Sequence, residues 1–197
     1  MKKQYDKAGP TLVKALKKRN FDAYYCSTAD EAVEKVLSLI PEGDTVSWGG
    51  VMTVDELGIK DRLRQRNQPV IDRDTAKTPE ERMAMLHQAL GCDTFLMSSN
   101  AISEDGQLVN IDGLGNRVAA LCFGPKQVIV VAGMNKVAGD LNAAIARARN
   151  VAAPANAQRF NIKTPCAVNG QCGDCTSPDC ICAQMVITRF SKIKGRI

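Results

Sequence analysis

Residues 166–182 read CAVNGQCGDCTSPDCIC and hold five of the chain's eight cysteines. The spacing is Cys166-x5-Cys172-x2-Cys175-x4-Cys180-x-Cys182. Gly170, Gly173, Asp174, Ser177 and Pro178 lie between them, residue types that turn a backbone tightly enough for sulfurs to converge. Four converging thiolates suit tetrahedral zinc or an iron–sulfur cluster. The Cys-x5-Cys-x2-Cys portion is close to plant-type ferredoxin spacing, whereas a zinc site more often brings two separated Cys-x2-Cys pairs. An iron–sulfur cluster, 4Fe–4S ahead of other types, is therefore the expected cofactor. Zinc is the alternative, and reduced, unligated thiols are the plain reading. Five thiols exceed a four-ligand set by one. Cys180 and Cys182 are two residues apart, and in an extended segment their side chains point to opposite sides, so one sulfur is expected to be spare.

Two further stretches carry polar chemistry. SWGGVMTVDELG sets Gly49 and Gly50 between a predicted strand and a predicted helix. Backbone amides at such a junction can hold a phosphate or carboxylate, and ligands of α/β sheets sit beyond the carboxyl ends of strands. The competing reading is a plain tight turn. SSNAISEDGQLVNIDGLGNR gathers Asn100, Glu104, Asp105, Asn110, Asp112, Asn116 and Arg117 beside three glycines. Arg117 could clamp a carboxylate or phosphate through two parallel hydrogen bonds, and Glu104 could act as nucleophile or base. Here the competing reading is a hairpin with solvated turns. The only histidine, His87, lies among Met83, Met85 and Leu90 on a predicted helix, so Ser–His or Cys–His catalysis is not expected. Cys26, Cys92 and Cys122 fall at element ends among apolar neighbours and read as small buried residues.

The elements that must position these groups follow from periodicity and end signals. Helical spacing marks PTLVKALKKRN, STADEAVEKVLSLIP, TVDELGIKDRLRQR, TPEERMAMLHQALG, NRVAALCFG and AGDLNAAIARARNVAAP. Ser27 or Thr28 caps the second of these, and Thr78 the fourth. Strands are predicted at FDAYYC, DTVSW, PVIDR, CDTFLMSS, GQLVNIDG and KQVIVVAG. Helix and strand alternate from about residue 12 to residue 150, which predicts an α/β fold with a mostly parallel sheet covered by helices on both faces. The cysteine-rich end follows Pro154 and Pro165. It reads as an appendage, giving an α/β domain over 1–155 and a metal- or iron–sulfur-binding segment over 156–197.

Composition narrows the function classes. No run of 18 apolar residues occurs, so no membrane span is expected. The basic start has neither an apolar core nor a cleavage site of the secretory kind, so a cytoplasmic setting with reduced thiols is expected. Eleven of the 26 Lys and Arg lie in residues 1–19 and 189–197, and the body between them is net negative. That distribution implies no basic groove, and no nucleic-acid partner is expected.

Four segments, TVSWGGVMTVDELG, NAISEDGQLVNIDGLGNRVAAL, GPKQVIVVAGMNKV and PCAVNGQCGDCTSPDCIC, together resemble the lactate-utilization (LUD) domain proteins. The resemblance runs over nearly the whole chain. It implies a fold like that of coenzyme A transferases, glucosamine-6-phosphate deaminase and ribose-5-phosphate isomerase, and a setting in which L-lactate is oxidised to pyruvate with iron–sulfur clusters. Gly49, Gly50 and Thr53 match the family's glycine turn, with Val51 where Ser or Thr is usual. Asp112-Gly113 and Gly115-Asn116-Arg117 match its central motif, and SEDG is similar to the loop carrying the glutamate nucleophile of coenzyme A transferases, which nominates Glu104. Cys166, Cys172, Cys175 and Cys182 match its terminal cysteines, leaving Cys180 as the extra one. The resulting expectation is an iron–sulfur component of lactate or related organic-acid oxidation, with a redox protein as partner. Its small-anion pocket (carboxylate or phosphate) would lie between the Gly49-Gly50 turn and the Asp112–Arg117 loop, and include Thr53, Gly113 and Asn116. The alternative is a stand-alone transferase- or isomerase-type enzyme with structural zinc.

Overall fold

The computed structural model describes residues 1–197 and has two four-stranded sheets. In chain order its elements are α1 (Lys2–Lys18), α2 (Ala29–Leu39), β1 (Val46–Trp48), α3 (Met52–Glu56), α4 (Ile59–Gln65), β2 (Val70–Ile71), α5 (Pro79–Ala89), β3 (Thr94–Met97), β4 (Ala101–Ser103), β5 (Leu108–Asp112), α6 (Asn116–Cys122), β6 (Gln127–Val130), β7 (Val137–Ala138), α7 (Leu141–Arg147), α8 (Ala153–Ala157), α9 (Pro165–Asn169) and β8 (Gln184–Thr188). The predicted caps form. Thr28 accepts the Glu31 N–H at the start of α2, and Thr78 accepts the Glu81 N–H at the start of α5. The Glu31 and Glu81 carboxylates reach back to the Ser27 and Lys77 N–H groups, closing both first turns.

The first sheet runs β2-β1-β3-β6 and is parallel throughout. Strand alternation divides its side chains between two cores. Val46, Trp48, Leu96 and Ile129 face α2, α3 and α4 through Val33, Val36, Leu37, Val54, Ile59 and Leu63. Phe95, Met97 and Val128 face the other way, onto Ala89 of α5 and Ala120 and Leu121 of α6. The helices on both faces are as the sequence predicts.

The remaining strands do not join that sheet. They form a second one of order β7-β4-β5-β8, in which β4–β5 and β5–β8 are antiparallel. The reason is connection length. Only Glu104–Gln107 joins β4 to β5, and a parallel return needs a crossover of a dozen residues or so. The FDAYYC segment is also no strand; its Asp22 N–H bonds the Ile197 carbonyl, while Phe21 and Ala23 are buried without a ladder. No helix is long and apolar enough to cross a membrane.

The cysteine-rich end is tied into the body at both sides, which differs from the expected appendage. A boundary at residue 155 would cut α8. β8 pairs along the whole of β5, from Leu108 opposite Thr188 to Asp112 opposite Gln184. Beyond it, the Arg196 guanidinium donates to the carbonyls of Leu121 (2.6 Å), Ala120 (2.8 Å) and Pro125 (3.2 Å).

Candidate functional site

In the first sheet the chain leaves β1 for β2 on one side and returns as β3 on the other. The carboxyl ends of β1 and β3 are thus the switch point where open α/β sheets take ligands. Ser98 and Ser99, just past β3, are buried there. Lys136 Nζ donates to Ser98 Oγ at 2.7 Å and to Thr53 Oγ1 at 3.1 Å. Arg117 Nη2 donates to Asn100 Oδ1 at 2.8 Å and to the Ile111 carbonyl, and its Nη1 approaches the Ser98 carbonyl at 3.5 Å. Arg147 donates from Nη1 to the Asn100 carbonyl at 2.5 Å and from Nε to the Asn135 carbonyl at 3.1 Å. Residues 98–100 therefore gather three cations. One carboxylate serves them: Asp112, 3.7 Å from Arg117 Nε. Lys136 and Arg147 make no ion pair; their hydrogen bonds go to neutral oxygens. Burial lowers the Lys136 proton affinity, and the charges of Arg147 and Arg117 lower it further, against a smaller pull from Glu56.

The glycine turn closes this crevice. A methyl on Gly49 would lie 2.8 Å from Arg117 Cδ, so the close approach of that side chain requires glycine. A methyl on Gly50 would lie 3.0 Å from Arg73 Nη2. Arg73 is largely buried; its Nε has no hydrogen-bond partner, and Asp74 stands 3.6 Å off. The amide cradle expected at this turn is limited. The Gly49 N–H bonds the Leu96 carbonyl at 3.1 Å, and α3 has only five residues. The positive charge of the crevice comes from side chains instead.

The thiols lie behind the neighbouring loop. A methyl on Gly113 would be 3.2 Å from Ile181 Cα, and one on Gly115 would be 3.5 Å from the Gln184 side chain. Cys182 packs against the buried cluster that Ala101, Val109 and Ile111 of the second sheet form with Ala144, Ala148 and Ala153. Its sulfur is 3.3 Å from that of Cys180, and its N–H points at the Cys180 sulfur at 3.4 Å. Cys180 is therefore not turned away from Cys182, contrary to the alternation expected of an extended segment. The Cys180 N–H closes a turn on the Ser177 carbonyl, and β8 begins only at Gln184, so strand alternation does not apply. Burial, and then Cys180, Cys172 and Cys166, push the Cys182 thiol up to about 12. Cys166 is buried with the Thr164 hydroxyl 3.2 Å away, and Arg149 pairs with Asp174 beside Cys172. All these cysteines are free. Thiolates are the ligand type a zinc or iron–sulfur centre takes, and Cys180 and Cys182 lie in contact. No three of them yet converge on one point, so a centre would draw in the turn-rich residues 170–180.

A family model for the LUD domain matches residues 10–197. The chain belongs to the LUD domain family. No curated protein matches it. Among solved structures, that of eIF2B delta from Chaetomium thermophilum is 14% identical over 72% of this chain and 70% of its own, with a TM-score of 0.38, a likeness too low to carry a fold assignment.

Within this LUD domain the predicted residues Gly49, Gly50, Thr53, Asp112 and Arg117 lie near one another beyond the carboxyl ends of β1 and β3, with Gly49 against Arg117, Arg117 near Asp112 and Thr53 on Lys136. Two of them have other work than expected. The Arg117 guanidinium is committed to Ser98, Asn100 and Ile111, and so fixes the loop rather than offering a free fork. Asp112 Oδ2 accepts the N–H groups of Arg117 (3.1 Å) and Val118 (3.3 Å), capping α6. Gly113 and Asn116 flank that cap. Glu104 is not brought to the crevice. It lies exposed in the β4–β5 turn, at the opposite end of the hairpin from Asp112. Arg73, Ser98, Lys136 and Arg147 were not anticipated. Ser98 directly follows the buried strand β3, and a polar residue just past such a strand was the available signal; Lys136, six residues beyond β6, carried none.

Proposed function

We propose that this LUD-domain protein serves lactate-related organic-acid metabolism, holding a small carboxylate at the Ser98–Asn100 crevice beside a thiol-held iron–sulfur centre. The cations at residues 98–100 carry this reading, since Lys136 and Arg147 are partly buried without a carboxylate. Charge drawn partly out of water without a counter-ion is disfavoured, and a bound carboxylate would supply the missing partner. Thr53 and Ser98 orient the Lys136 ammonium, and Arg117 holds Asn100 and Ile111 in place. Cys166, Cys172 and Cys182, with Cys180 or Cys175, would hold the centre. When bound, it would supply one-electron chemistry in exchange with a redox protein partner in a reducing cytoplasm.

A second reading has a specific observation in its favour. The 3.3 Å contact between the Cys180 and Cys182 sulfurs is near the spacing of about 3.8 Å for thiolates on one tetrahedral zinc at about 2.3 Å. That favours a structural zinc ion and a stand-alone transferase- or isomerase-type activity. Anaerobic purification followed by absorption, iron, sulfide and zinc analysis decides the centre. Visible absorption with iron and sulfide supports the first reading, and a colourless zinc protein the second. The carboxylate site is tested by titrating L-lactate against the fluorescence of Trp48, the single tryptophan, which adjoins Gly49. Absence of a metal centre together with no response to L-lactate, pyruvate or phosphate would sink both readings.

A further inference from the structure

We infer that Lys136 is the amine of a carbonyl-capturing site for small oxo acids, forming a reversible imine with the ligand's carbonyl carbon. This rests on the carboxylate-pocket reading above and adds a covalent step to it. Three observations carry it. The Lys136 nitrogen sits between two hydroxyls, Ser98 Oγ at 2.7 Å and Thr53 Oγ1 at 3.1 Å, which can pass protons. It has no carboxylate counter-ion to hold its proton, although it is partly buried. Beside it, Arg147 is fixed through Nε and Nη1 to the Asn135 and Asn100 carbonyls, and its Nη2 has no protein acceptor.

A site meant only to hold an anion is better served by a second guanidinium than by an amine, because arginine stays charged and grips carboxylates with two parallel bonds. Lysine differs in that its proton can be removed. Desolvation and neighbouring cations are the means by which lysines are made nucleophilic toward carbonyls, and both act here: burial, then Arg147, then Arg117, lower the proton affinity of Lys136. Glu56 is the one acidic group opposing them. A ligand that uses both the amine and the free guanidinium arm must carry a carbonyl and a carboxylate, and the smallest such compound is a 2-oxo acid.

The step balances without an outside reagent. The ammonium loses a proton through Ser98 or Thr53. The nitrogen lone pair then attacks the carbonyl carbon, and the C=O π pair moves to oxygen, which takes up that proton. A second proton passes from the nitrogen through the same hydroxyls to that oxygen, which leaves as water while the nitrogen pair freed by this transfer forms C=N. Ammonium plus ketone thus gives iminium plus water, with charge conserved, and hydrolysis reverses it.

The test traps the iminium with cyanoborohydride on the full chain at neutral pH, using pyruvate as probe and peptide mapping as readout. Lys136 should carry the adduct at least about tenfold ahead of any exposed lysine, because the free Arg147 arm holds the pyruvate carboxylate beside it. L-lactate, which has the carboxylate but no carbonyl, should block labelling. Acetone, which has the carbonyl but no carboxylate, should give far less. Lys136→Arg should give no adduct, since a guanidinium forms no imine with a ketone; the mapping on unaltered protein stands even if this variant fails to fold. Reversible pyruvate binding with no adduct, or with label spread over exposed lysines, overturns the covalent step and leaves the carboxylate pocket standing. No binding of either pyruvate or L-lactate overturns both.

Discussion

Adding one methyl group at Gly49 tests how the crevice is built. Gly49 is not among the glycines with left-handed backbone, so alanine brings no strain of its own there. The whole penalty must come from contact. The new Cβ would stand 2.8 Å from Arg117 Cδ and 2.9 Å from Cγ. A free arginine would swing aside, but this one is held by Ser98, Asn100 and Ile111. Overpacking against a pinned side chain costs about 1–3 kcal/mol. For a chain of this size that is a fall in Tm of about 2–12 °C. Arg117→Ala removes the clash but leaves buried carbonyls unpaired, at about 2–4 kcal/mol. In the double variant the methyl enters the space that Arg117 vacated. Its penalty should vanish, giving a coupling of about 1–3 kcal/mol in a double-mutant cycle. Urea unfolding of the four proteins, read by Trp48 fluorescence, measures it. If the two single effects add within about 0.5 kcal/mol, Arg117 is not pinned against Gly49 and the crevice has another architecture.

Lys136→Met should raise the stability of the ligand-free protein, with a pH signature. The folded state lowers the proton affinity of Lys136 below its ordinary value of 10.5, so charging it opposes folding at neutral pH and that opposition fades as pH rises toward the ordinary value. The advantage of the Met variant in scanning calorimetry should therefore shrink from pH 7 to pH 10, and growth over that range would contradict the burial argument. Cys180→Ser should lower metal content as Cys182→Ser does, because the two sulfurs share one side; full retention by the first variant would put Cys180 outside the centre. Arg196→Ala should lower the urea midpoint by an amount worth about 1–3 kcal/mol at unchanged slope, with faster amide exchange over residues 184–197. Unaltered exchange there would mean that its three carbonyl contacts do not anchor the terminus.

The parallel sheet was legible because its strands are buried, β-branched runs separated by capped helices, and Thr28 and Thr78 announce two of those helices directly. The second sheet was hidden because, although β5 was predicted as a strand, its partners carry no local signal. β4 and β7, of three and two residues, sit in stretches that read as loops, and β8 has partners 72 to 80 positions upstream that no local pattern names. The glycine turn and central loop were recognised from residue types, and their adjacency followed from strand ends. What local reading missed was the commitment of each cation. Arg117 looks free in sequence and is tied down by carbonyls of its own neighbourhood. Lys136 looks like an ordinary lysine in a loop, and becomes notable only when the fold sets it against Thr53 and Ser98. Glu104 illustrates the converse: a plausible motif carried to the wrong end of a hairpin by the direction of β4.

The pairing of β8 with β5 has a consequence for how the protein is made. At about 5–20 residues per second, several seconds separate the emergence of Asp112 from that of Gln184. For that interval one edge of β5 stays open, a row of unpaired N–H and C=O groups flanked by Val109 and Ile111 that another nascent chain can template upon. The last strand must then close a long loop, at an entropic cost that falls as the loop is shortened. That cost grows only slowly with loop length, so the longer hazard is the open edge itself, and shielding β5 until residue 188 emerges should raise the yield of folded chain over aggregate.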